Sequence, residues 1–208
     1  MKKEIFKGGR PISEEMPHLE VSGFTLDTTN QKFNPGDWIP AGTLLSGDEQ
    51  TRLARILKSA IVEDVSGTTV TLESDEYIQP IFCIGESVLK TISGTFTAAP
   101  TITNIDKSGG KYVITLSAEL SGLAKGDTIV QVIENTSNNA ALISPFTYLV
   151  PVDTKVEDGF PTSIGGADRW KVYMRRIPPI PSTLVQDPGK GFPAYLKANP
   201  EIKLSKTF

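Results

Sequence analysis

The chain has 208 residues, 38% of them hydrophobic and 22% charged, which is enough apolar material for a buried core and too little charge for a disordered polymer. Lys and Arg number 21 against 24 Asp and Glu, a net charge of −3, and the single cysteine, Cys83, excludes a disulfide framework and a cysteine-rich zinc site. No stretch approaches the ~18 apolar residues of a membrane-spanning helix. The basic start, Met1-Lys2-Lys3, has no apolar region behind it, so no signal peptide is expected.

Residues 1–35 mix charge, Gly, Pro and Thr without periodicity and are expected to form an extended arm. Residues 36–150 are expected to form a β domain, with Trp38 and Ile39 facing its core. Leu53, Ile56, Leu57 and Ala60 have helical spacing, but a strand over 55–65 is favoured. Ser66-Gly67 then turns it back into Thr68-Thr69-Val70-Thr71-Leu72, a hairpin signal. A second hairpin has the same plan: Thr101 to Ile105, a loop through Asp106-Lys107-Ser108-Gly109-Gly110, then Lys111 to Leu116. Val70-Thr71-Leu72 and Ile114-Thr115-Leu116 lie 44 residues apart. That spacing leaves room for two units, too few for a propeller, and predicts a duplicated hairpin inside one sandwich or barrel.

The third part, 151–208, holds eight of the 15 prolines. Trp170 to Ile177 alternates as a strand, Pro193 to Asn199 suits one or two helical turns, and Glu201 to Phe208 suits a final edge strand. From Arg169 onward eight Lys and Arg face two acids, a local charge of +6 that leaves −9 on residues 1–168. Such asymmetry suits docking on an acidic partner, with Arg169, Trp170, Lys171, Arg175, Arg176 and Lys197 as the candidate contacts. A chain cut after Asp168 is expected to lose that docking while keeping a folded β domain.

One phrase recurs: an apolar residue, two spacers, Gly, an acid, one spacer, an apolar β-branched residue. The copies run Phe33 to Ile39 around Gly36-Asp37, Phe82 to Val88 around Gly85-Glu86, and Leu123 to Ile129 around Gly126-Asp127. Gly accepts positive φ and the acid accepts backbone hydrogen bonds, so the phrase predicts a tight turn leading into a strand. The last two copies lie 41 residues apart and follow the two hairpins. These six residues are expected to be architecture rather than chemistry.

No catalytic constellation stands out. The lone histidine, His18, lies in the arm and has no nucleophile elbow near it. Cys83 sits in an apolar run with no cationic neighbour in sequence and reads as a buried structural thiol. Gly109-Gly110-Lys111 lacks the spacing of a phosphate loop. Glu63-Asp64 and Glu73, Asp75 and Glu76 read as solvated strand ends, although a carboxylate pair is the one hydrolase the composition permits. Trp38 and Trp170 read as core or interface residues, with a sugar-stacking platform as the alternative. No cofactor, metal, nucleic acid or membrane is expected as a partner.

The order of parts resembles head-fibre or capsid-decoration proteins of tailed bacteriophages. The resemblance rests on Ile39-Pro40-Ala41-Gly42-Thr43-Leu44-Leu45, the hairpins with their Gly-acid turns, and the end. That end runs Trp170-Lys-Val-Tyr-Met-Arg-Arg-Ile-Pro-Pro-Ile-Pro181 and then Phe192-Pro-Ala-Tyr-Leu-Lys-Ala-Asn-Pro-Glu-Ile202. The resemblance implies a non-enzymatic virion structural protein on the capsid exterior, holding the major capsid protein and neighbouring copies of itself, a trimer among the arrangements. The alternative is a module binding glycans or a host surface.

Overall fold

The two predicted hairpins are present, and they close into a barrel. The computed structural model describes residues 11–20 and 23–206. In chain order its strands begin with β1 (His18–Leu19), β2 (Phe24–Leu26), β3 (Trp38–Ile39), β4 (Leu44–Gly47) and β5 (Leu53–Ile56). The middle holds β6 (Ser59–Ser66), β7 (Thr69–Leu72), β8 (Ser87–Leu89), β9 (Ile102–Asp106), β10 (Tyr112–Leu116) and β11 (Thr128–Glu134). The rest are β12 (Ala140–Ala141), β13 (Tyr148–Leu149), β14 (Thr154–Lys155), β15 (Ser163–Ile164), β16 (Ala167–Tyr173), β17 (Val185–Gln186), β18 (Ala194–Leu196) and β19 (Ile202–Ser205). Three short 3₁₀ turns are the whole helical content of the described residues. The protein is mainly β, with sandwich-like sheets and a barrel built from duplicated hairpins.

Strands β6-β7-β8 form one unit and β9-β10-β11 the other. β6 pairs β7 and β9 pairs β10, while β7 pairs β10 and β8 pairs β11 across the two units. β11 returns to β6, and a bridge from Ser87 to Thr101 joins β8 to the start of β9, which closes the ring. The contacts between units fall on equivalent residues: Val70 lies opposite Ile114, and Leu89 opposite Val130. Those are the 44- and 41-residue offsets of the sequence, so an approximate twofold axis passes through both pairings. Alternation points Val70, Leu72, Tyr112, Ile114, Leu116 and Ile129 into the barrel, where Phe82, Val88 and Leu123 complete its core.

The Gly-acid phrase forms one structure at every occurrence. Gly36, Gly85 and Gly126 have φ of 86°, 82° and 87°, the positive value that the third residue of a type II turn requires. Each then docks on a neighbouring strand by a reciprocal backbone pair. Gly36 N–H donates to Val156 and Val156 N–H to Asp37; Gly85 to Ile102 and Ile102 to Glu86; Gly126 to Val62 and Val62 to Asp127, all at 2.7–2.9 Å. In the barrel, each unit's turn therefore docks on the first strand of the other unit. A fourth copy, with Thr in place of the acid and Leu45 in place of the β-branched residue, occurs at Gly42-Thr43. Gly42 has φ of 83°, its N–H donates to Val150 O, and Val150 N–H donates to Thr43 O.

β12 extends the barrel's sheet by pairing β11, and the other strands form a large sheet in the order β15-β2-β5-β4-β13-β16-β19-β18-β17, with β1 also on β16, and a small β3–β14 pair. This sheet corrects several expectations. Residues 24–26, assigned to the arm, are an internal strand of the sheet, with Phe24 and Leu26 buried among Ile56, Tyr148 and Ile164. Residues 194–196 form β18 rather than a helical turn, because Ala194 and Leu196 alternate inward and both neighbours supply ladder partners. β19 is no edge strand: it lies between β16, to which it runs parallel, and β18. The divisions expected at 35 and 150 both cut this sheet. Trp38 faces outward, 53% exposed, beside the fully buried Ile39, as neighbouring strand residues must.

Candidate functional site

Two features of the described residues stand out. One is a basic sheet face at the C-terminal end, the other a buried charged joint between the large sheet and the barrel.

The basic face follows from strand register. β16 and β19 run in parallel with Trp170 opposite Ile202 and Lys171 opposite Lys203, and β18 sets Tyr195 opposite Lys203. With a side-chain period of two, Arg169, Lys171, Tyr195, Lys197, Glu201 and Lys203 share one face, while Trp170, Val172, Leu196, Ile202 and Leu204 line the core on the other. Arg169 pairs with Glu201 at 3.4 Å, and Lys197 Nζ donates to Thr183 O at 2.7 Å. Lys171 and Lys203 lie directly opposite with like charge, and no carboxylate pairs with either among the described residues.

Of the six expected contacts, Arg169, Lys171 and Lys197 therefore meet on this face, and Lys203, overlooked in the sequence, joins them. Trp170 does not: it is 6% exposed in the core, its Nε1–H donating to Glu15 O at 2.9 Å. Arg175 and Arg176 leave the strand on a 3₁₀ turn, and Arg176 stacks on Tyr173 and donates to Pro11 O at 2.8 Å. The Trp38–Trp170 platform does not form, since one ring is outside and the other inside. A chain cut after Asp168 would also strip Trp170, Val172, Leu196, Ile202 and Leu204 from the largest core cluster, so the separable tail expected from the sequence is an integral part of the fold.

The charged joint sits where β5 runs on into β6, as the chain passes from the large sheet into the barrel. Lys58 is fully buried there. Its Nζ donates to Glu86 Oε1 at 2.6 Å and to Lys32 O at 2.5 Å, lies 3.6 Å from Cys83 Sγ and stands 4.7 Å over the Phe33 ring. Glu86 Oε1 also accepts from Gln131 Nε2 at 3.1 Å, and Oε2 from Cys83 N–H at 2.8 Å. Gln31 Nε2 donates to Gln131 Oε1 at 2.7 Å. Gln31 itself is clamped by Ile56, whose N–H donates to its Oε1 and whose carbonyl accepts from its Nε2. That clamp fixes which way both amides point.

Burial pushes the Glu86 carboxyl above its ordinary range, with Lys58 beside it pulling the other way. Burial likewise raises the Cys83 thiol, against the opposing pull of Lys58. The sequence placed Glu86 in a turn and gave Cys83 no cationic neighbour; both expectations missed Lys58, which lies 25 residues before the cysteine and reaches it only through the fold. The one available signal was a lysine inside an apolar strand run, Ile56-Leu57-Lys58-Ser59-Ala60-Ile61-Val62.

Among the described residues no cluster of three His, Cys, Asp or Glu could hold a metal ion, and no helix is long and apolar enough to cross a membrane. Comparison with known protein families, curated proteins and solved structures finds no match.

Proposed function

We propose that the protein is a structural component of a tailed-phage virion. It attaches to the capsid exterior through the C-terminal sheet face and presents the barrel outward. The observation that carries the docking surface is the Lys171–Lys203 pair. Like charges directly opposite in a sheet destabilise it, so their presence without an intervening acid suits a surface completed by an anionic partner. The resemblance of residues 39–45 and 170–202 to head-fibre and decoration proteins supplies the capsid as that partner, and residues 1–168 carry the opposite net charge, −9.

The test is attachment to capsid shells of a tailed phage carrying this protein, measured by co-sedimentation. Lys171→Glu with Lys203→Glu should abolish attachment while leaving the far-UV circular dichroism unchanged, and salt should weaken wild-type attachment. Attachment that survives the double reversal would remove the face from the proposal. Absence of the protein from purified virions by mass spectrometry would remove the proposal itself.

A further inference from the structure

We infer that Lys58 and Gln131 become joined by an intramolecular isopeptide bond, with Glu86 carrying the protons. This rests on the buried joint and is independent of any role on a capsid.

The pair is built by register. Val130 lies opposite Ser59 in the β11–β6 ladder, so Gln131 lies opposite Lys58, and Gln131 N–H donates to Lys58 O at 2.9 Å. Cross-strand neighbours place their side chains on one face. Here both run to the same atom, Oε1 of Glu86, the amine at 2.6 Å and the amide nitrogen at 3.1 Å. The carbonyl oxygen of Gln131 points the other way and accepts from Gln31 Nε2 at 2.7 Å. A nucleophile, a carboxamide with its oxygen polarised, and one carboxyl oxygen bridging the attacking and departing nitrogens are thus assembled in a site closed to water.

Glu86, whose carboxyl burial raises, takes a proton from Nζ of Lys58 along their 2.6 Å hydrogen bond. The free Nζ lone pair adds to Cδ of Gln131, and a carbon–nitrogen bond forms while the carbonyl electron pair moves onto Oε1, held by Gln31. Glu86 gives its proton to Nε2 of Gln131 and takes the surplus proton from the attacking nitrogen. The Cδ–Nε2 bond breaks, the carbonyl re-forms and ammonia leaves. Amine plus carboxamide becomes secondary amide plus ammonia, and neither oxidant nor cofactor is consumed. Glu86 is the catalytic residue of this step, and Gln31 a positioning residue.

The bond would fasten the first strand of one barrel unit to the last strand of the other, at the seam where the barrel meets the large sheet. The decisive experiment is the intact mass of the full-length protein under denaturing conditions, followed by trypsin digestion. The expected result is a loss of about 17 Da, the mass of ammonia, and a branched peptide joining residues 56–90 to 126–155, uncut at Lys58. Glu86→Gln should restore the full mass and both linear peptides; if that variant does not fold, the wild-type masses still decide. Two results would overturn the inference: an unchanged wild-type mass, or a loss of about 18 Da confined to peptide 56–90, which would mean a Lys58–Glu86 amide instead.

Discussion

Glu86 and Asp127 occupy the same place in the two barrel units and live in opposite surroundings. Each follows a glycine at positive φ, each accepts a hydrogen bond from the backbone N–H three residues before it, and each touches position 90 or its 41-residue equivalent, 131. Asp127 meets Lys90 at 2.7 Å on the surface, and that hydrogen bond lowers its carboxyl below the ordinary range. Glu86 meets Gln131, and Lys58 reaches it from the joint with the large sheet. The backbone pattern alone therefore sets the turn, and burial decides what the carboxylate does. A symmetric barrel needs only the turn. The second sheet, packed on one side of it, converts one of the two acids into a buried carboxyl.

The largest expected difference between the turns comes from their lysines. Lys58→Met should lower stability by about 3–5 kcal/mol, because it leaves the Glu86 carboxyl buried without the nitrogen it is hydrogen-bonded to. Lys90→Met should leave the urea midpoint within error, since its pair is partly exposed and screened. Adding Glu86→Leu to Lys58→Met should recover part of the loss. Equal losses for the two lysine variants would erase the distinction between the turns.

The glycines should behave alike. Gly85→Ala and Gly126→Ala each force an ordinary residue into left-handed backbone, costing about 1–2 kcal/mol by chemical denaturation. A Cβ on Gly126 meets nothing, and one on Gly85 meets only the mobile end of Lys32 at 2.8 Å. A much larger loss at Gly85 would show that the two turns are not equivalent in backbone.

The smallest effect is the pH dependence, where the two acids have opposite signs. The Glu86 carboxyl is raised in the folded state, so its contribution is full below its ordinary value of 4.5 and is lost as pH rises through the folded value. The Asp127 carboxyl is lowered, so its contribution is present above its ordinary value of 3.8 and is lost as pH falls. Glu86→Gln should therefore make the stability–pH slope less negative between pH 4.5 and neutrality, and Asp127→Asn should flatten the acid limb below 3.8.

Local signals carried the barrel. β-branched runs around Gly67 and the Asp106–Gly110 loop gave both hairpins, and the repeated Gly-acid phrase gave the turns that tie the units together. Long-range pairing carried no such signal. Nothing within residues 24–26 announces that Thr25 will lie between Leu53 and Ser163, and β19 looked like an edge strand because its parallel partner β16 lies some thirty residues upstream. The short strands of the last third pair across proline-rich loops that have no periodicity of their own. The basic face was visible as charge, but its membership needed register, which added Lys203 and turned Trp170 inward. The charged joint was illegible because it draws on residues 31–33, 58, 83, 86 and 131, from four separate segments.

The contrast between the two turns is tested most directly by following both carboxyl carbons in one NMR titration of the folded wild-type protein. Glu86 should titrate above 4.5 and Asp127 below 3.8, in line with burial of the one and the Lys90 hydrogen bond to the other. Two ordinary carboxylate titrations, or a Glu86 shifted downward alongside Asp127, would contradict the buried joint.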